Sequence, residues 1–199
     1  MRFPALAACA VLLVACGGDD DRSSGRGGLC GDPRLQGEVV GRVPGELPGC
    51  GIPDAVRLTA VSGVTLSQGA LVDCPTARKF ADWVDRGAKP AVGGRGGGIE
   101  RLQIAAHYSC RRRNHRPDAP VSEHGKGKAI DISGITLENG ETMTVLDDWG
   151  RGGFGRALKR MHGAACGPFG TVLGPGSDAL HRDHFHFDTA RHGNGLYCR

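Results

Sequence analysis

Apolar residues recur along this chain at two different periods. Behind Pro75, residues Ala77, Phe80, Ala81 and Val84 fall at helical spacing and predict one buried stripe. Gly87 and Pro90 are expected to end that helix. A second helix is read from Phe154, Ala157, Leu158 and Met161. Between the two helices the period changes to two. Leu102, Ile104, Ala106 and Tyr108 alternate with Gln103, Ala105 and His107. Within 128–137, Ile130 and Ile132 alternate with Asp131 and Ser133. Asn139-Gly140 is a hairpin signal that returns the chain into Met143 to Leu146. Residues 171–173 and 184–188 predict two more strands. Residues 29–53, rich in Gly and Pro, read as a loop-like segment, and 93–98 as a flexible connector. No internal repeat is present. The pattern predicts an α+β fold, a small and mainly antiparallel sheet with helices packed on it.

The first residues carry a different signal. Arg2 is followed by an apolar stretch, Ala5 to Ala15, too short to span a bilayer. It ends in Leu13-Val14-Ala15-Cys16 before Gly17 and Gly18, which resembles a bacterial lipobox. The expected organisation is a signal peptide over 1–15, a lipidated Cys16 with a polar tether over 16–28, and one domain over 29–199. An ordinary signal peptide with an incidental Cys is the alternative. The lipobox reading places the protein outside the cytoplasm, membrane-anchored and facing the periplasm, at the outer membrane.

Composition narrows the picture further. Aromatic residues make up 5% of the chain, so Val, Leu, Ile and Ala must build most of the core, and 34 Gly imply many turns. A net charge of +4 without a basic, aromatic-interleaved run argues against nucleic acid, while a weakly basic surface suits an anionic polymer or membrane. Beyond Cys9 and Cys16, six Cys remain: Cys30, Cys50, Cys74, Cys110, Cys166 and Cys198. An even set in an exported domain predicts three disulfides. A Cys-rich zinc site is the alternative, but no C-x2-C pair exists. The expected bridges are Cys74–Cys110, joining the early helix to the strand after it, and Cys166–Cys198, tying down the C-terminus.

Histidine carries the candidate chemistry. In His181-Arg182-Asp183-His184-Phe185-His186-Phe187-Asp188, strand alternation puts His184, His186 and Asp188 on one face and both Phe in the core. The two His then serve as one ligand and one neighbouring base, or as two ligands of one ion. A second cluster, Ser122-Glu123-His124-Gly125-Lys126-Gly127-Lys128-Ala129-Ile130-Asp131, holds another His and a carboxylate between two Ile. Asp131 needs a compensating partner there, either a metal ion or a nearby Arg. Two His and one Asp form a set that zinc accepts while keeping a position open for water.

Ser122-x-His124-x6-Asp131 followed by a late His-x-His resembles the superfamily of D-Ala-D-Ala metallopeptidases, lysostaphin-type enzymes and hedgehog domains. His181-x2-His184-x-His186 is most similar to its penicillin-insensitive murein endopeptidase branch. The resemblance implies a hedgehog/DD-peptidase-like fold and Zn2+ on His124, Asp131 and His186. It also implies His184 as catalytic base, supported by His181, and substrate contacts from Arg111 and Ser122. Over roughly 45–199 the chain resembles the bacterial extensin-like C-terminal family. The matching stretches are Tyr108-Ser109-Cys110-Arg111, the Ser122 to Asp131 cluster, Thr171 to Pro175, His181 to Asp188, and Tyr197-Cys198-Arg199.

The implied activity is a zinc metallopeptidase acting on D-D or L-D amide bonds of peptidoglycan, as endopeptidase or carboxypeptidase. The expected partners are peptidoglycan and a membrane reached through the lipid, and the protein is expected to be a monomer. Two competing readings are a non-catalytic zinc-containing wall-binding lipoprotein and a metal-sequestering lipoprotein. A candidate base beside three ligands favours the enzyme. Sequestration would favour surplus soft ligands, and the Cys are expected in disulfides.

Overall fold

A single mixed sheet of nine strands organises the described residues. The computed structural model describes residues 27–191, 193 and 195–199. The signal, Cys16 and the tether as far as residue 26 lie outside the described residues. Three strands come first: β1 (Leu35–Pro44), β2 (Gly51–Val61) and β3 (Val64–Asp73), each antiparallel to the next. Residues 29–53 are therefore not a loop, because β1 and the start of β2 occupy much of the segment. β1 forms one edge of the sheet and is irregular, with three register shifts and an exposed Val39 and Val40. Such an edge buries no regular face, so it leaves no alternation to read.

The first helix starts where expected. Asp73 caps α1 (Cys74–Trp83) by accepting from the Thr76 amide at 2.8 Å, and Pro75 fits the first turn. Ala77, Phe80, Ala81 and Val84 are all buried. The helix does not stop at Gly87 and Pro90. A π-turn over Val84–Ala88 leads directly into α2 (Lys89–Val92), which ends before Gly93. Pro90 is the second residue of α2 and follows directly on the π-turn. Gly87 is buried where a Cβ would come within 2.9 Å of Ala164 Cβ. Close packing against the late helix therefore selects glycine there. The α1–α2 segment is the crossover that a parallel β3–β4 pair requires.

β4 (Ile99–Ala106) pairs antiparallel with β5 (Ala129–Leu137), and β5 turns at Asn139-Gly140 into β6 (Thr142–Thr144). That return strand is shorter than expected: Val145 to Asp148 form α3 instead. α4 (Gly152–Ala165) follows, then β7 (Thr171–Leu173), β8 (Phe185–Asp188) and β9 (Tyr197–Cys198). The path β1-β2-β3-β4-β5-β8-β7-β9 contains two parallel pairs, β3/β4 and β7/β9, so the sheet is larger and more mixed than the pattern predicts. α1 and α4 are joined where Trp83 Nε1 donates to the Met161 carbonyl at 2.9 Å. Trp83 also meets Phe187 edge-on at 5.1 Å, so helices and β8 share one core. Among the described residues no helix is long and apolar enough to cross a membrane.

Three disulfides close the described Cys. Cys166–Cys198 is as expected, but Cys74 pairs with Cys30, and Cys110 pairs with Cys50. α1 packs against the turn at Leu29–Gly31, where Arg78 donates to the Cys30 carbonyl, so its first residue meets Cys30. Peptide mapping of the unreduced protein should recover these three pairs, and a Cys74–Cys110 peptide would contradict the fold. Replacing Cys50 and Cys110 together by Ser opens a loop of 60 residues. It should lower unfolding free energy by about 4 kcal/mol in denaturant titration.

Candidate metal centre

The register of β5 and β8 assembles the centre. Asp131 lies directly opposite His186 in this antiparallel pair, and Ile130 and Ile132 lie opposite Phe187 and Phe185. Alternation then sends Phe185 and Phe187 into the core and leaves His186 and Asp188 on the other face with Asp131. His184 precedes the strand rather than belonging to it.

His124 arrives on a short 3-10 turn, Glu123–Lys126. Ser122 caps the turn by accepting from the His124 amide at 3.4 Å. Gly127 ends it in the left-handed region at φ 67°, close against Ile52. A Cβ on Gly125 would lie 2.9 Å from Cys50 Sγ, so the Cys50–Cys110 bridge lies immediately behind the turn.

Three ligand atoms converge. His124 Nε2 lies 3.1 Å from His186 Nδ1 and 3.2 Å from Asp131 Oδ1, and His186 Nδ1 lies 2.9 Å from the same oxygen. The far side of each imidazole is engaged. His124 Nδ1 lies 2.7 Å from the His107 carbonyl, which can only accept, so that nitrogen carries the proton. His186 Nε2 lies 3.0 Å from Asp188 Oδ2 and donates to it in the same way. In the neutral rings both remaining nitrogens point lone pairs inward, as metal-ligating histidines do. Around a tetrahedral ion with N and O ligands about 2.0–2.1 Å away, ligand atoms lie about 3.3–3.4 Å apart. The observed triangle needs to open by only a few tenths of an ångström. The residues therefore fit a metal ion, and the three are buried.

Charge explains why they gather. Burial would raise the Asp131 carboxyl, but hydrogen bonds to His124 and His186 outweigh it and hold the group well below the usual carboxylate range. Burial would likewise lower His186, yet Asp131 and Asp188 together push it up to about 9. Burial would raise the Asp188 carboxyl too, but His186, Thr171 and the Ala190 amide together outweigh it and hold the group below its ordinary value. The partners of Asp131 are imidazoles. Among the described residues no Arg pairs with it.

The remaining sequence candidates surround the same cleft, which encloses about 420 Å3. His184 Nε2 faces the second Asp131 oxygen at 3.6 Å, and its Nδ1 is 2.8 Å from Asp183 Oδ1. The His181 ring lies 5.3 Å from that of His184, tilted by 54°, with Nδ1 2.8 Å from Asp178 Oδ1. Burial lowers the His181 imidazolium despite that carboxylate. Arg111 and Ser122 both line the cleft, Arg111 half-buried and Ser122 buried. Sequence reasoning did not assign Asp188, Asp183 and Asp178 as the groups that orient the three late His. The His186-x-Asp188 spacing on one strand face carried that signal for Asp188. The His107 carbonyl carried none, because backbone acceptors are invisible in a sequence.

Two outcomes follow for metal binding. In the metal-free protein His186 keeps its proton up to about 9, so a divalent ion must displace it. Affinity should fall roughly tenfold per unit as pH drops from 9 toward 7, measured by competition with a chelator of known pH dependence. A flat profile would contradict the arrangement. Asp188→Asn should weaken binding roughly 10- to 100-fold by loosening His186.

Comparison with known proteins places the chain. The sequence profile described as "Extensin-like protein C-terminus" matches residues 36–199. No curated protein and no solved structure matches. The matched region runs from the second residue of β1 through β9 and contains every residue of the candidate metal centre, and on that extent the chain belongs to the family of the extensin-like protein C-terminus.

Proposed function

We infer that this protein is a zinc-dependent hydrolase of peptide amide bonds in peptidoglycan, acting at D-D or L-D cross-links in the manner of the hedgehog/DD-peptidase superfamily. The observation that carries the reading is the convergence of His124 Nε2, His186 Nδ1 and Asp131 Oδ1, with the opposite nitrogen of each imidazole already committed as a donor. Two neutral imidazoles and one carboxylate are a ligand set typical of catalytic Zn2+. A structural zinc site closes with four protein ligands, whereas this compact group supplies three. That count favours the enzyme over a non-catalytic wall-binding protein.

When bound there, zinc would supply Lewis-acid activation of water and of a peptide carbonyl. The side chains would do the rest. Asp183 accepts a hydrogen bond from the Nδ1–H of His184, which leaves Nε2 facing the cleft as an acceptor. His184 would receive the proton of the attacking water and return it to the leaving amine. His181, held by Asp178, would support that ring or the developing charge. Arg111 and Ser122 on the cleft wall would contact the substrate. The lipobox at Cys16 would hold this site against the wall from the outer membrane, with peptidoglycan and the membrane as the partners of a monomer.

Zinc content measured beside muropeptide release separates these roles. His124→Ala, Asp131→Ala and His186→Ala should each lose both metal and activity. His184→Ala should keep close to one zinc while turnover falls roughly 100- to 10,000-fold. If His184→Ala loses the metal and His186→Ala keeps it, the two roles are exchanged. If all four variants bind zinc and none alters wall cleavage, the protein is a binding module. Cys16→Ser should move the protein from the membrane to the soluble exported fraction, and unchanged membrane association would refute the anchor.

A further inference from the structure

One charged feature of the cleft enters the chemistry above only at its base, through Arg111. Between Cys110 and Ser122 the chain leaves the sheet as a hairpin-like arm. Arg112 and Val121 form an antiparallel bridge, Arg113 N donates to the Pro120 carbonyl, and Ser122 N donates to the Arg111 carbonyl, both at 2.9 Å. The base is fixed by the Cys50–Cys110 bridge. Further out, Arg113 Nη2 pairs at 3.2 Å with Glu123, a buried carboxylate that Lys126 also holds at 2.8 Å. The tip is set by two successive left-handed residues, Asn114 at φ 53° and His115 at φ 55°. A non-glycine pair in that region persists only where the surrounding bonds fix it.

The arm carries Arg111, Arg112, Arg113, His115 and Arg116 against one acid, Asp118. Glu123 beneath it is shared between two cations and does not neutralise the tip. His115 and Arg116 are exposed. Leu180 and Tyr197 also line the cleft and are exposed, with Arg199 over the Tyr197 ring at 5.4 Å.

We propose that this arm is a binding site for free carboxylates of the peptide that enters the cleft, so that the protein prefers acidic peptide stems over amidated ones. The proposal rests on the reading of the cleft as a peptidoglycan peptide site. Guanidinium groups match carboxylates in a planar, two-pronged fashion. Arg113 and His115 line the same cleft as His124, Asp131 and His186. An acid bound on the arm therefore lies in the peptide whose amide reaches the metal centre. A membrane is the less fitting partner. The arm has no large apolar residue to insert, and a flat anionic surface cannot follow a cleft.

Binding can be read without catalysis. Calorimetric titration of the metal-depleted protein would compare a disaccharide-tetrapeptide bearing free carboxylates with its amidated form. At low salt the acidic form should bind roughly tenfold tighter, and high salt should remove most of the difference. The exposed double variant His115→Gln/Arg116→Gln should lower affinity for the acidic form toward that of the amidated form, with its thermal unfolding unchanged. Equal affinity of the wild-type protein for both forms overturns the proposal. So does a variant that still discriminates between them. Phosphatidylglycerol vesicles serve as the rival probe. Arm-dependent vesicle binding with no discrimination between muropeptides would assign the arm to a membrane and also overturn it. Zinc-loaded protein that discriminates by charge yet cleaves nothing would refute the hydrolase reading and leave the arm's role standing.

Discussion

A carboxylate with 4% of its surface exposed, on a strand buried along most of its length, can remain charged only if its surroundings compensate it. Asp131 is that carboxylate, and the rest of the site follows from satisfying it. One oxygen meets both His124 and His186, and the other faces His184. Each buried imidazole then needs an acceptor of its own on the far side, or its tautomer is undefined. The His107 carbonyl and Asp188 provide these. The chain of demands runs outward from β5 to the end of β4 and along β8. Once His186 gives up its second proton, three lone pairs face inward, an arrangement that suits a divalent cation.

The fold behind the site protects this geometry. Asp131 faces His186 because Ile130 and Ile132 are locked opposite Phe187 and Phe185. A slip of one residue would bury His186 among the aromatics and expose both Phe, so the core enforces the register of the centre. Phe187 packs against Trp83 at 5.1 Å and Phe169 at 5.2 Å, which ties β8 to the α1 helix and to the β7 side of the sheet. The turn that carries His124 is braced differently. It depends on a serine cap, a left-handed Gly127 and a disulfide against Gly125 rather than on hydrophobic burial. The site therefore joins a rigid sheet pair to a stapled loop. The same staple anchors the cationic arm beside it.

What the sequence revealed follows which forces are local. The His186–Asp188 face was readable because strand periodicity is two and the alternating residues differ sharply in polarity. α1 and α4 were readable from their apolar stripes, and the β5–β6 turn from Asn139-Gly140. Strands β1 to β3 were not read. β1 is an irregular edge with little buried surface, and its Gly and Pro content imitates a loop. The continuation of the first helix past Gly87 was hidden because the reason for that glycine is contact with Ala164, 77 residues away. The expected Cys74–Cys110 bridge failed for the same cause. The partner of each Cys is chosen by tertiary placement, and only Cys166–Cys198 was anticipated. At the candidate metal centre the ligand types and the face carrying Asp188 were legible, whereas the His107 carbonyl and the orienting contacts of Asp178 and Asp183 emerged only from the geometry.

The central claim is that His124, Asp131 and His186 together coordinate one zinc ion. X-ray absorption spectroscopy of the zinc-loaded protein tests it most directly. The account predicts a first shell of nitrogen and oxygen at about 2.0–2.1 Å, with imidazole scattering from two histidines and no sulfur. A sulfur shell at about 2.3 Å, or a shell without imidazole, would contradict it.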